Sequence, residues 1–329
     1  MKRKFLMILL TLILALGSIA GLTACKHEHN YTTSVIEPTC TEQGYTTHTC
    51  SCGDSYIDSY TDKIEHNYNA GVCSVCSYNL FENIEDIELD SVNEEHIGAF
   101  VENVKNNSTQ GTIEFKKYGA QIKYVGFETI NSTKYKREDV VNVKYVNNIY
   151  NAQISVSLRP ATLNVAITDG EETQIYDFEH VAFIVDKYIY STQPNQLNNL
   201  TEITDCSSFE YNSIADIIRR AVADHQGGWD IVAAQLHMTF EMLYKPLSAD
   251  YFYKKTGNYY IIKVVVDDQY MGDIRATYVY DEEYDLVGLI GNNEIGENVD
   301  DKVTIKPLVD DFVIPNEVIE KINDYKMTN

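Results

Sequence analysis

The sequence predicts an α+β protein: a small Cys/His-rich, ribbon-like module, then an antiparallel, β-rich domain with helices packed on one face. Three observations predict it. Tyrosine is abundant, 25 residues against a single Trp, and aromatic residues suit the half-buried pleated surface of a sheet. The apolar period changes from helical to two after Asn107. In the larger part the elements run helix, strands, two helices, strands, helix, an order that suits helices laid over an antiparallel sheet.

Composition bounds the problem before any motif is read. The chain has 329 residues, 44% hydrophobic and 23% charged, enough for one large or two ordinary domains with real cores. Lys and Arg number 26 against 49 Asp and Glu, a formal net charge of −23. That balance argues against nucleic acid as a partner, because tracking phosphates requires a basic face.

Residues 1–24 read as an export signal. Lys2, Arg3 and Lys4 make a positive start, Phe5 to Leu16 is apolar apart from Thr11, and the run relaxes through Gly17, Ser18 and Gly21. It finishes Leu22-Thr23-Ala24-Cys25, and no second apolar stretch follows to suggest a membrane-spanning protein. This ending resembles the lipobox of bacterial lipoproteins. The resemblance implies cleavage before Cys25 and acylation of that cysteine, which becomes the mature N-terminus. Two or more acyl chains anchor a protein stably, so the expectation is a protein tethered at the extracytoplasmic face of a bacterial membrane, with residues 25–28 as lipidated cysteine and tether.

Residues 29–78 concentrate the Cys and His. Five of the seven Cys fall here, in the order His29, Cys40, Cys50, Cys52, His66, Cys73, Cys76. Cys50-Ser51-Cys52 and Cys73-Ser74-Val75-Cys76 are short loops able to point two thiolates at one ion, and zinc takes four N or S ligands in a tetrahedron. His29-Asn30-Tyr31 recurs as His66-Asn67-Tyr68, while the cysteines that follow do not keep the same spacing. The run from Glu37-Pro38-Thr39-Cys40 through Cys50-Ser51-Cys52-Gly53 to His66-Asn67-Tyr68, closing on Cys73-Ser74-Val75-Cys76, resembles the Cys/His-rich repeat of Gram-positive surface proteins. The resemblance implies a small zinc-stabilised module used as spacer or interaction unit. The family often has Cys-x-x-Cys where this chain has Cys50-Ser51-Cys52. Disulfides are the alternative in an exported chain, but five thiols cannot all pair within the segment and the histidines have no place in a disulfide frame. A redox Cys73/Cys76 pair lacks a strand-to-helix context. Structural zinc is thus the expected cofactor, with His29, Cys40, Cys50, Cys52, His66, Cys73 and Cys76 as its ligand pool.

Residues 79–90 are acidic and unpatterned, a linker in this reading, and 91–329 form the α+β domain. Ser91-Val92-Asn93-Glu94 has the form of a capping box, opening a helix with Ile97, Phe100, Val101 and Val104 on one face. Tyr150, Ala152, Ile154, Val156 and Leu158 then alternate with polar residues as a half-exposed strand. Leu163, Val165 and Ile167 continue the pattern, as does the stretch 181–190, with Asp169-Gly170 as a turn. Ser213 caps a second expected helix with Ile214, Ile217, Ile218, Ala221 and Val222 inward. A third runs from about Trp229 to Tyr244. Strands resume at 258–267, 274–280 and 284–290, and a short helix follows Pro315. In element order this resembles lipoprotein carriers in which a half-open barrel closes over an apolar cavity.

Catalytic chemistry is sparse. No Gly-x-Ser-x-Gly, Ser-x-x-Lys, His-Glu-x-x-His, phosphate loop or dinucleotide fingerprint occurs. His180, His225 and His237 stand alone, Cys206 reads as a small buried hydrophobe, and the Asp pairs lack calcium-loop spacing. The expectation is therefore not an enzyme but a lipid-anchored protein whose large domain binds without transforming, its partner an apolar small molecule or a surface protein. A structural or adhesion protein without a cavity is the main rival. A hydrolase of envelope polymers, needing two carboxylates across a cleft, is the third.

Overall fold

The computed structural model describes residues 28–108, 117–130, 133–161, 178–192, 201–207, 217–218, 221, 249–268, 272–293 and 301–329. The export signal, Cys25 and the expected helix at 229–244 lie outside them. The chain divides into two compact units, Met1–Ile64 and Glu65–Asn329.

In the first unit β1 (Tyr31–Ile36), β2 (Gly44–Cys50) and β3 (Ser55–Thr61) form an antiparallel sheet in sequence order. It has almost no apolar core. Val35, Ile36, Tyr56, Ile57 and Tyr60 are all exposed. The ring of His48 stacks on Tyr56 at 4.4 Å between centroids, and its Nε2 lies 2.8 Å from Asp58. A sheet this small, without an apolar face, does not offset its own ordering entropy.

The second unit opens with a two-stranded knuckle, β4 (Tyr68–Asn69) and β5 (Val72–Cys73), followed by a 3₁₀ turn at Ile84–Asp86. Its body, among the described residues, is one twelve-stranded antiparallel sheet. The strands are β6 (Asp90–Val92), β7 (Ala120–Ile130), β8 (Thr133–Val146), β9 (Ile149–Pro160), β10 (Phe178–Val185), β11 (Tyr188–Ser191), β12 (Ile203–Asp205), β13 (Ala249–Thr256), β14 (Tyr259–Asp268), β15 (Gly272–Tyr280), β16 (Leu286–Asn293) and β17 (Asp301–Pro307). Strands β7 to β12 make one meander and β13 to β17 another. They join where β17 pairs with β7, and β6 extends the far edge beside β13.

Alternation produces two faces. Ala152, Ile154, Val156 and Leu158 of β9 are buried as their spacing predicts. Ala152, Ile154 and Val156, with Ile184, Ile189, Ile262, Val264, Leu289 and Ile305, belong to one large core. Helix α1 (Glu94–Asn107) adds Ile97, Phe100, Val101 and Val104 to that core. Each such side chain, fully buried, is worth about 1.5–3 kcal/mol. Ile217, Ile218 and Ala221, from the second expected helix, are buried there too. Helix α2 (Asn316–Thr328) instead sets Val318 and Ile322 against Phe183 and Tyr190, residues that alternate with the main-core set.

The expected α+β class, with helices packed on one face of a half-open barrel, is therefore corrected. The protein is mainly β, with two helices among the described residues, and α1 and α2 serve different cores. The sheet was underread because its longest strands carry charge. In β8 the buried set is Tyr135, Arg137, Asp139, Val141 and Val143, and Arg137 and Asp139 break the apolar rhythm that marks a strand. They are tolerated because Arg137 Nε donates to both Asp139 carboxylate oxygens, at 2.9 and 3.2 Å. The helix cap also moves. Ser91 lies in β6, and Asn93 caps α1 by accepting the His96 N–H at 2.9 Å. The acidic stretch after residue 78 is packed too, with Leu80, Phe81 and Ile84 buried.

Candidate metal centre

The second unit builds its ligand group on a tight turn. Ala70 and Gly71 both take positive φ, 48° and 82°, to reverse the chain between β4 and β5. The Ser77 N–H donates to the Cys73 carbonyl at 2.9 Å, closing the loop that carries both thiols. Cys76 Sγ lies 3.4 Å from His66 Nδ1, and the ligand atoms of His66, Cys73 and Cys76 all fall within 4.8 Å of one another. Tetrahedral zinc with arms of about 2.0–2.3 Å separates its ligands by comparable distances. Cys73 is buried. Burial alone would push its thiol up, but backbone N–H groups of Cys76 and Val75 and the His66 side chain outweigh it and bring it down to about 5.

The knuckle is fastened to the sheet at the β13–β14 turn. Asn258 reads the Tyr68 backbone twice: its Oδ1 accepts the Tyr68 N–H and its Nδ2 donates to the Tyr68 carbonyl, each at 2.9 Å. The Gly71 N–H donates to the Tyr259 hydroxyl at 3.2 Å, and Tyr68 stacks on Tyr259. Gly257, at φ 55°, is required because any Cβ there would strike the His66 carbonyl. Gly257, Asn258 and Tyr259 are positioning residues the sequence reading missed. Their only signal was a turn-forming Gly-Asn pair.

The first unit assembles His29, Cys50 and Cys52, again within 4.8 Å of one another. Cys50 ends β2, and the hairpin to β3 is Ser51-Cys52-Gly53-Asp54, with Gly53 at φ 93°. The Gly53 N–H donates to the Cys50 carbonyl at 2.9 Å and the Cys50 N–H to the Asp54 carbonyl at 2.8 Å. His29 Nδ1 stands 3.4 Å from Cys52 Sγ and 3.6 Å from Asp54 Oδ2, and the Tyr31 hydroxyl donates to that carboxylate. This group is open: Cys52, His29 and Asp54 are all solvent-exposed. The Asp54 backbone draws the Cys52 thiol down, but Cys50 and the nearby negative charge outweigh it and raise it.

Of the expected ligand pool, His29, Cys50, Cys52, His66, Cys73 and Cys76 are placed in these groups. Cys40 is buried in the first unit, in the turn where the Thr39 N–H donates to the Glu42 carbonyl at 2.9 Å. No disulfide joins the cysteines among the described residues. The Cys and His groups could hold a metal ion, and mixed imidazole and thiolate donors suit a transition metal rather than calcium or magnesium. Cys206 is buried in the main core, as expected of a small hydrophobe. His180 is buried with neither ring nitrogen hydrogen-bonded. No helix among the described residues is long and apolar enough to cross a membrane. Comparison with family models and with curated proteins finds no match to this chain.

Proposed function

We propose that the protein is a lipid-anchored extracytoplasmic protein of a bacterial envelope, in which zinc is structural and the sheet domain binds a ligand without transforming it. The observation that carries the zinc role is the convergence of His66, Cys73 and Cys76 on a knuckle bonded to the β13–β14 turn. A metal there staples the start of the second unit. A structural site closed by four protein ligands leaves no open position for water and so no hydrolytic role. The anchor rests on the order of Lys2-Arg3-Lys4, apolar run and Leu22-Thr23-Ala24-Cys25, with Cys25 acylated. Binding is supported by a hollow of about 390 Å3 on the sheet domain.

The test is metal content together with free-thiol titration on residues 26–329, purified without chelator. The expected result is one or two zinc per chain, with most thiols reactive only after chelation. A metal-free protein whose thiols appear only after reduction would replace zinc by disulfides.

A further inference from the structure

Half-buried lysines in the sheet domain have acceptors. Lys123 meets Glu138 at 2.8 Å, Lys144 meets Asp311 at 2.6 Å, and Lys254 meets the Glu88 carbonyl at 2.9 Å. Lys302 meets Glu85 at 2.5 Å, Lys306 meets Glu82 at 4.0 Å, and Lys321 pairs with Glu202. Lys263, in the middle of β14, is the exception among the described residues. It is half-buried, and no carboxylate, carbonyl or aromatic ring meets its ammonium. With 49 acids against 26 bases in the chain, carboxylates are not scarce. A partly desolvated cation left unpaired is costly unless something else supplies the anion.

Lys263 lines the hollow already described, on the face of the sheet opposite the main core. Register makes the floor. Phe252, Lys263, Thr277 and Ile290 are direct cross-strand neighbours from β13 to β16. Arg275, two residues before Thr277, shares their face. Ile84, Ile87 and Leu89 supply an apolar wall from the segment around the 3₁₀ turn, and the acid in that wall, Glu85, is neutralised by Lys302. The space thus has an apolar wall, and its floor sets the cations Lys263 and Arg275 among the apolar Phe252 and Ile290.

We propose that this hollow binds a small amphiphile bearing a single oxyanion, its charge on the Lys263 ammonium beside the Thr277 hydroxyl and its apolar body against Leu89, Phe252 and Ile290. The proposal rests on the reading of the sheet domain as a binding domain and names the ligand class. The test is calorimetric titration of residues 26–329 with decanoate, decanol and inorganic phosphate, on the unaltered chain, Lys263→Gln and Leu89→Asp. Thermal melts of each variant establish that it folds. Decanoate is expected to bind at least tenfold tighter than decanol, and phosphate alone not to saturate. Lys263→Gln should weaken decanoate about tenfold and leave decanol unchanged, while Leu89→Asp should weaken both. Equal binding of decanoate and decanol, insensitive to Lys263→Gln, overturns the oxyanion class and leaves an apolar binding domain standing. Phosphate binding as tightly as decanoate also overturns it, in favour of a purely polar anion site. No binding of any probe removes the ligand-binding reading as well.

Discussion

The two Cys/His groups begin from the same His-Asn-Tyr sequence and end in different physical states. In the first, Cys50 and Cys52 sit at the hairpin between β2 and β3, with His29 just before β1, on a sheet whose large apolar side chains are exposed. In the second, His66, Cys73 and Cys76 sit on a knuckle bonded through Asn258 and Tyr259 to a large sheet. The ligand chemistry is nearly identical, so the difference lies in what surrounds it. In the second unit, packing and any bound metal would act on the same few residues, and the backbone already favours a thiolate at Cys73. In the first, a metal would be the main thing closing the fold, because binding energy becomes folding energy where no apolar core exists.

The largest expected effect follows directly. Stripping metal with a strong chelator should erase hydrogen-exchange protection in β1 to β3 while leaving β14 to β16 protected, read by mass-resolved exchange of backbone amides. Those inner strands hold Ile262, Val264, Tyr278 and Leu289 in the main core, which contains none of the Cys and His of either ligand group. Equal loss in both regions would mean that metal supports the large sheet as well, and the contrast would collapse. Next in size is a pair of substitutions. Cys73→Ser should remove metal from the knuckle and destabilise β4 and β5 locally by about 1–3 kcal/mol. Cys52→Ser should leave the main thermal transition in place while removing metal from the first unit. Denaturant melts with metal analysis on both variants check this, and a Cys52→Ser chain that unfolds as a whole would break it.

Much of this was legible in the sequence, and the gaps have physical causes. The ligand pool could be read because thiols and imidazoles at short spacing have few other uses, and its members do fall into two groups. Helix α1 and strand β9 could be read because each presents one uninterrupted apolar stripe. The extent of the sheet could not. Strand β7 reaches β17 across almost the whole domain, a pairing that leaves no local trace, and β8 hides its period behind the buried Arg137–Asp139 pair. The two cores were invisible for a related reason: periodicity tells which face of α2 is apolar, not that Phe183 and Tyr190 wait for it on the far side of the sheet. Nor could spacing tell that Asn258 and Tyr259 hold the metal knuckle, since hydrogen bonds 190 residues apart in sequence belong to the fold alone.

The smallest expected effect tests whether buried polar groups in the large core serve its stability. His180 on β10 faces inward across Val156, which itself stands opposite Asp139 on β8. The Asp139 carboxylate is held by Arg137, and both ring nitrogens of His180 are left without a hydrogen bond. Burial holds its pKa below the ordinary 6.5. A base with a depressed folded pKa contributes stability that is fully present above the unfolded value. That stability drains as pH falls from there towards the folded value, because the unfolded chain takes up the proton first. His180→Leu, close in volume and apolar, should therefore stabilise the protein by about 1 kcal/mol at pH 7.5. The gain should grow towards pH 5.5, where the unaltered chain loses stability and the variant loses less. Urea unfolding at the two pH values reads both effects. A variant less stable than the parent at pH 7.5 would show that the imidazole has a partner worth more than its burial costs, and would make the large core as dependent on polar contacts as the small unit is on its ligands.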